Sequence, residues 1–153
     1  MRNIKEIKQT LDSKIDCQEF INLKSLIQWF IDVEVDGYEK FMKFNQGYYS
    51  RIHLINSVHY ELILLCWEPG QATPLHGHPN QGCLVKLLKG SLKEEIRSLG
   101  KPPEIRHFQV NDVSYISDDI GYHKVANISN EQAVSLHLYA PGGYDPSSLI
   151  KPE

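Results

Sequence analysis

Two histidines separated by one glycine constrain this chain more than any other feature. They lie in Gly70-Gln-Ala-Thr-Pro-Leu-His76-Gly-His78-Pro-Asn-Gln-Gly-Cys83. Residues two apart on a β-strand project to one face, so on a strand here His76 and His78 can approach a single metal ion together. A third histidine, His123, lies far along the chain in Gly121-Tyr-His123-Lys-Val-Ala-Asn127. A β-barrel can return it to the first two. Neutral imidazole suits Zn, Fe, Cu and Ni. Three such ligands leave the 2+ charge uncompensated and positions open, as in a catalytic rather than a structural centre. Any one of these histidines taken alone reads more simply as a surface or core residue, and only the combination argues for a site.

The remaining pattern supplies a barrel. Tyr49–Ile55 and Tyr60–Trp67 read as a β-hairpin across an Asn56-Ser57 turn. Further strands are expected over Cys83–Leu88, Ser91–Arg97, Ile105–Val110, Val113–Ile116, His123–Ile128 and Ala133–Tyr139, with turn residues between them. The charged residues of Ser91–Arg97 suggest one wet face. Many short, evenly spaced strands argue for a β-sandwich or barrel of the jelly-roll kind.

Residues 1–46 read instead as helical. Ile4, Ile7 and Leu11 share one helical face, and Phe20, Leu23, Ile27 and Phe30 share another. Asp16-Cys-Gln-Glu19 has the form of a capping box opening that second helix. Tyr38–Phe44 is expected to form a short third helix. These helices are expected to pack outside a sheet. The fold class expected is therefore mainly β, a jelly-roll β-barrel with an N-terminal helical layer. At 153 residues one domain is expected over 1–153, with helices over 1–46 and the barrel over 47–145.

Composition excludes several functions. Net charge is −3 with scattered Lys and Arg, so no basic stripe for nucleic acid is present. No apolar run approaches the ~20 residues of a membrane span. Charges interrupt Met1–Lys8, so no signal peptide is expected. The cysteines are three, Cys17, Cys66 and Cys83. An odd count without a leader fits a reducing cytoplasm.

Gly70-x5-His76-x-His78-x4-Cys83-x6-Gly90 resembles the first cupin motif, with cysteine where a glutamate ligand usually stands. Gly121-x-His123-x3-Asn127 resembles the end of the second motif, with Asp119 in place of its proline. Leu65-Cys-Trp67, His76-Gly-His78, Cys83, Leu87–Glu94, Ile120–His123 and Ala133–Pro141 together resemble the cysteine dioxygenase family, over about residues 49–141. The resemblance implies a non-haem Fe(II) enzyme that adds both atoms of O2 to the sulfur of free L-cysteine, giving cysteine sulfinic acid. It implies that His76, His78 and His123 hold the iron. It also implies a cytoplasmic enzyme of cysteine catabolism, and a monomer is expected.

Several residues carry two readings. Ser135, His137 and Tyr139 share one face of a strand whose other face is apolar. The strand pattern alone favours a wet polar face, whereas the resemblance favours a buried relay in which Ser135 orients His137 and His137 orients Tyr139. Cys83 alone would be a small buried hydrophobe. The resemblance implies that it can form a thioether with Tyr139, to which it adds a role in catalysis. Arg51 would ordinarily be a surface arginine. The match of Tyr49-Ser-Arg51 to the family favours a bidentate clamp on the substrate carboxylate, with Tyr49 seating the same group or packing beside it. Arg51 also favours L-cysteine over 3-mercaptopropionate, since related enzymes for that thiol carry glutamine there. Trp67 is expected near the histidines. Vertebrate members carry a further cysteine at the mouth of the site, where this chain has Pro146 or its neighbours. The rival functions are a dioxygenase of another small thiol, a three-histidine cupin of different chemistry, and a non-catalytic metal-binding sensor.

Overall fold

Strand β8 (Ala133–Tyr139) is buried along its whole length and separates two cores. Its side chains alternate between them, as the period of a strand requires. Val134, Leu136 and Leu138 enter one core, and Ala133 and Tyr139 enter the other. The computed structural model describes residues 2–144.

The other strands are β1 (Ser50–Asn56), β2 (Glu61–Trp67), β3 (Cys83–Lys89), β4 (Leu92–Arg97), β5 (Glu104–Phe108), β6 (Val113–Ile116) and β7 (Tyr122–Ala126). They form a five-stranded sheet in the order β1-β2-β8-β3-β6 and a three-stranded sheet in the order β5-β4-β7. Every pairing is antiparallel. Ile63, Leu65, Trp67, Val85 and Leu87 of the larger sheet meet Leu92, Ile96, Phe108 and Val125 of the smaller. The two sheets thus close over one interior, the barrel expected from the strand spacing.

The outer face of the five-stranded sheet carries the helical layer. Ile7, Leu11 and Ile15 of α1 (Ile4–Ile15) pack there with Leu62, Leu64, Leu84, Leu136 and Leu138. The Asn3 side chain caps α1, accepting from the Glu6 amide at 2.9 Å. The Tyr60 hydroxyl ties the helix to the sheet, donating to Asp12 Oδ1 at 2.7 Å. Helix α2 (Ile27–Asp32) ends against buried Lys86 of β3. The Lys86 ammonium donates to the carbonyls of Ile31 at 2.8 Å and Val33 at 2.5 Å, supplying partners that a helix C-terminus otherwise lacks.

Three local expectations are corrected. Asp16 opens no helix: it closes α1, its amide donating to Asp12 O, and Asn22 caps the next turn through Lys24. The face shared by Leu23 and Phe30 is buried, but Leu23–Leu26 tightens into a 3-10 turn before α2 begins. The third helix is one 3-10 turn, Tyr38–Phe41, entered through Gly37 in the left-handed region. The histidine pair departs too. His76 and His78 lie on a loop that meets β7 through isolated bridges, Ala72 with Ala126 and His76 with His123, rather than through a ladder. Strand β4 has the expected wet face, with Lys93, Glu95 and Arg97 half-buried, but Glu94 lies on its buried face between Leu92 and Ile96.

Candidate metal centre and substrate pocket

The His76–His78 loop is fixed by its backbone. The His76 amide donates to His123 O at 3.0 Å, and the His123 amide returns to His76 O at 3.1 Å. Asp118 Oδ1 accepts from the His78 amide at 2.8 Å. A Cβ on Gly77 would stand 2.9 Å from that oxygen, so a larger residue between the histidines would displace the Asp118 carboxylate from the His78 amide. His78 and His123 are buried, and His76 keeps partial exposure.

The outward ring nitrogens determine what the inward ones present. His76 Nδ1 lies 2.8 Å from Pro74 O. A carbonyl can only accept, so Nδ1 holds the proton and Nε2 a lone pair. His123 Nδ1 lies 2.7 Å from Glu94 Oε2, and Ser114 Oγ donates to Glu94 Oε1 at 3.1 Å. That pairing fixes the same tautomer in His123. The two Nε2 atoms then face each other at 3.0 Å. Neither ring nitrogen of His78 has a hydrogen-bond partner although both are buried. Burial, the largest cause for all three rings, lowers their pKa values. Neutral imidazoles with facing lone pairs repel unless a cation lies between them. Their ligand atoms lie within 4.8 Å of one another. Two nitrogens held at ~2.1 Å and at right angles on one metal stand ~3 Å apart. The residues therefore fit a divalent metal, with Glu94 holding His123 by the outer hydrogen bond that metal-binding histidines commonly make.

Beside this centre runs a line of polar groups from β8. Trp67 Nε1 donates to Ser135 Oγ at 2.9 Å, Ser135 Oγ lies 2.7 Å from His137 Nε2, and His137 Nδ1 lies 3.2 Å from the Tyr139 hydroxyl. Ser135, His137 and Tyr139 are all buried. The relay geometry thus holds, and the wet face does not. Burial keeps His137 neutral and pushes the Tyr139 hydroxyl up, so neither is ionised at neutral pH. Cys83 sits directly opposite Tyr139 in the β3–β8 register, where side chains stand ~5 Å apart. Burial raises its thiol pKa well above the ordinary range.

Arg51 pairs with Leu65, and Leu65 with Ser135, across β1, β2 and β8. The Arg51 charge lowers the pKa values of His76 and His137 and opposes the rise at Tyr139, and its side chain reaches Tyr144, which packs on Tyr139. None of the ion pairs among the described residues involves Arg51. Tyr49 stacks on Trp67, with ring centroids 4.8 Å apart.

The family model for cysteine dioxygenase type I matches residues 2–147. The chain belongs to the cysteine dioxygenase type I family. It is 36% identical to cysteine dioxygenase type 1 of Danio rerio over 150 residues, covering 90% of this chain and 72% of that protein. It is 39% identical to cysteine dioxygenase type 1 of Homo sapiens over 112 residues, covering 66% of this chain and 55% of that protein. The match thus spans about half the length of the human relative. In architecture it is similar to a cupin superfamily protein from Desulfitobacterium hafniense, with a TM-score of 0.55 at 12% identity, over 65% of this chain and 83% of that one. The cupin fold and the family resemblance carried by the histidine motifs therefore hold.

Within this cysteine dioxygenase family member, the sequence pattern missed two residues at the site. Glu94 lies in Lys93-Glu-Glu-Ile96, where a glutamate usually faces water. Its period-two spacing between Leu92 and Ile96 was the available signal. Tyr144 lies against Tyr139 and Arg51, with ring centroids of the two tyrosines 4.6 Å apart. No pattern around it marks it. Asn127, which completes the second motif, closes a turn, its side chain donating to Glu131 O at 2.7 Å. Pro146, the expected position at the mouth, lies outside the described residues.

Proposed function

We propose that this chain is a thiol dioxygenase that oxidises L-cysteine with O2 to cysteine sulfinic acid, with Fe(II) held by His76, His78 and His123. The observation that carries the reading is the meeting of a three-histidine centre, an arginine without a carboxylate partner among the described residues and a buried Ser-His-Tyr line in a family member. His76, His78 and His123 would hold the iron, which would supply the redox chemistry that joins O2 to a thiol sulfur.

The chain's own residues divide the remaining work. Arg51 pairs with the substrate carboxylate through its planar fork, and Tyr49, stacked on Trp67, seats the same group. One direction of donation satisfies the polar line. Trp67 donates to Ser135, Ser135 to His137 Nε2, and His137 Nδ1 to the Tyr139 oxygen. Tyr139 then keeps its O–H proton for the reacting sulfur and oxygen atoms. Cys83 supports a thioether to Tyr139, which would remove the freedom of both groups and hold the phenol in place. All these groups come from one chain, which supports a monomeric enzyme. The free thiols of Cys17, Cys66 and Cys83 support a reducing, cytoplasmic setting. No helix among the described residues is long and apolar enough to cross a membrane.

Oxygen uptake by Fe(II)-loaded protein with L-cysteine, 3-mercaptopropionate and cysteamine tests this reading. Uptake should be fastest with L-cysteine, and Arg51→Gln should raise KM for L-cysteine ~10- to 100-fold, the worth of a charged hydrogen bond. Uptake favouring 3-mercaptopropionate would overturn the substrate, and no uptake with any thiol would overturn the enzyme.

A further inference from the structure

The polar line from Trp67 does not end at Tyr139. The Tyr144 ring packs on the Tyr139 ring, with centroids 4.6 Å apart, and Arg51 Nη2 donates to the Tyr144 hydroxyl at 3.3 Å. The guanidinium carbon lies 5.8 Å from the centre of the Tyr144 ring, within reach of a cation–π attraction. Tyr144 therefore joins two groups that reach the pocket from different strands. The Tyr144 hydroxyl accepts from Arg51, which leaves the Tyr139 O–H proton uncommitted. Arg51 has five N–H donors, and one bond to Tyr144 leaves four for a carboxylate.

The backbone before Tyr144 is tied down. The Gly142 amide donates to Val58 O at 3.1 Å, and a Cβ at Gly142 would stand 1.8 Å from Ser57 O. Only glycine lets the chain pass this close to the β1–β2 turn. The Ala140 amide donates to Gly82 O, and the Gln81 amide to Ala140 O, which ties the same segment to the entry of β3. Tyr144 is thus delivered to Arg51 by a pinned segment.

We propose that Tyr144 is a positioning residue for carboxylate recognition: it holds the Arg51 guanidinium in register with Tyr139, so that the enzyme favours thiols bearing a carboxylate. The inference rests on the reading of Arg51 as a carboxylate clamp. An arginine held on one side by a neutral acceptor and a ring keeps its full charge, whereas a carboxylate partner would neutralise it. Fixing a rotamer-rich side chain before binding also removes part of the cost of ordering it on binding.

The test is anaerobic calorimetric titration of the Fe(II)-loaded protein with L-cysteine, 3-mercaptopropionate and cysteamine, for wild type, Tyr144→Phe and Tyr144→Leu. Melting temperature and oxygen uptake are recorded on the same samples. Wild type should bind the two carboxylates more tightly than cysteamine. Tyr144→Phe should weaken both carboxylates ~3- to 10-fold, the worth of one hydrogen bond, and leave cysteamine unchanged. Tyr144→Leu should weaken them further. Equal loss for all three ligands would overturn the proposal in favour of a merely structural role, as would unchanged discrimination in both variants. If wild type itself does not favour carboxylates, the clamp and Tyr144 fall together. If binding discriminates as described but no oxygen is consumed, the proposed reaction fails and the role of Tyr144 stands.

Discussion

A carboxylate withdrawn from water persists only with partners that replace its hydration, and Glu94 has two, His123 and Ser114. Burial pushes the Glu94 carboxyl up, and the Ser114 bond opposes the rise. Its effect is to keep the His123 proton on Nδ1 and the lone pair on Nε2. Glu94→Ala should weaken metal binding ~10- to 100-fold, measured by competition with a chelator. An unchanged affinity in a folded variant would remove Glu94 from the centre. The expected partner of Tyr139 is tested as directly: if the thioether forms, the intact chain is two hydrogens lighter by mass, and Cys83→Gly abolishes the loss. An equal loss in that variant would place any crosslink elsewhere. At this scale the sequence spoke clearly where residue types are rare together. His76, His78 and His123 were legible by spacing, and Cys83 and Arg51 by resemblance. Glu94 and Tyr144 were not, because their significance lies in partners 29 and 93 positions away.

Elements were legible where hydrophobic period and tertiary burial agree. Strand β8 and helix α1 are of this kind. The second helix departs because the chain must also dock at the barrel: the Leu23 amide donates to Gln81 O at 2.9 Å, and the turn tightens to reach it. The histidine loop departs because Asp118 and β7 supply its hydrogen bonds in place of a strand ladder. The docking of α1 carries a pH signature. Hydrogen bonds from Lys8 first and Tyr60 second hold the Asp12 carboxyl below its ordinary value of 3.8. A depressed folded-state pKa stabilises above the unfolded value and is lost as pH falls through the folded one. Tyr60→Phe should therefore cost ~0.5–1.5 kcal/mol near neutral pH, towards the low end because Asp12 is well exposed. The difference should shrink as pH falls below about 3.8. Urea titrations of both proteins across that range check it, and a gap that widened in acid would contradict the assignment.

At the scale of the whole molecule, both cores share the strands of the five-stranded sheet. Leu62 and Leu64 of β2 face the helices, while Ile63 and Leu65 face the barrel. We propose that residues 1–153 form one domain, because neither face of this sheet can be exposed without exposing the hydrophobic side chains of the other layer. Unfolding followed by circular dichroism and by tryptophan fluorescence should give coincident transitions. Separate transitions would divide the helical layer from the barrel. The barrel and its helical layer were legible because they follow from strand spacing and helical period. The closeness of Arg51, Tyr139 and Tyr144 was not, because it depends on where the segment after β8 crosses the β1–β2 turn. The central claim is that a three-histidine iron centre directs both atoms of O2 to the sulfur of L-cysteine. Single-turnover oxidation of L-cysteine under oxygen-18 gas, with the product analysed by mass, tests it most directly. Cysteine sulfinic acid carrying both heavy atoms in wild type, and none formed by His123→Ala, is the predicted result. Product bearing only one heavy atom, or formed equally by the metal-free variant, would contradict it.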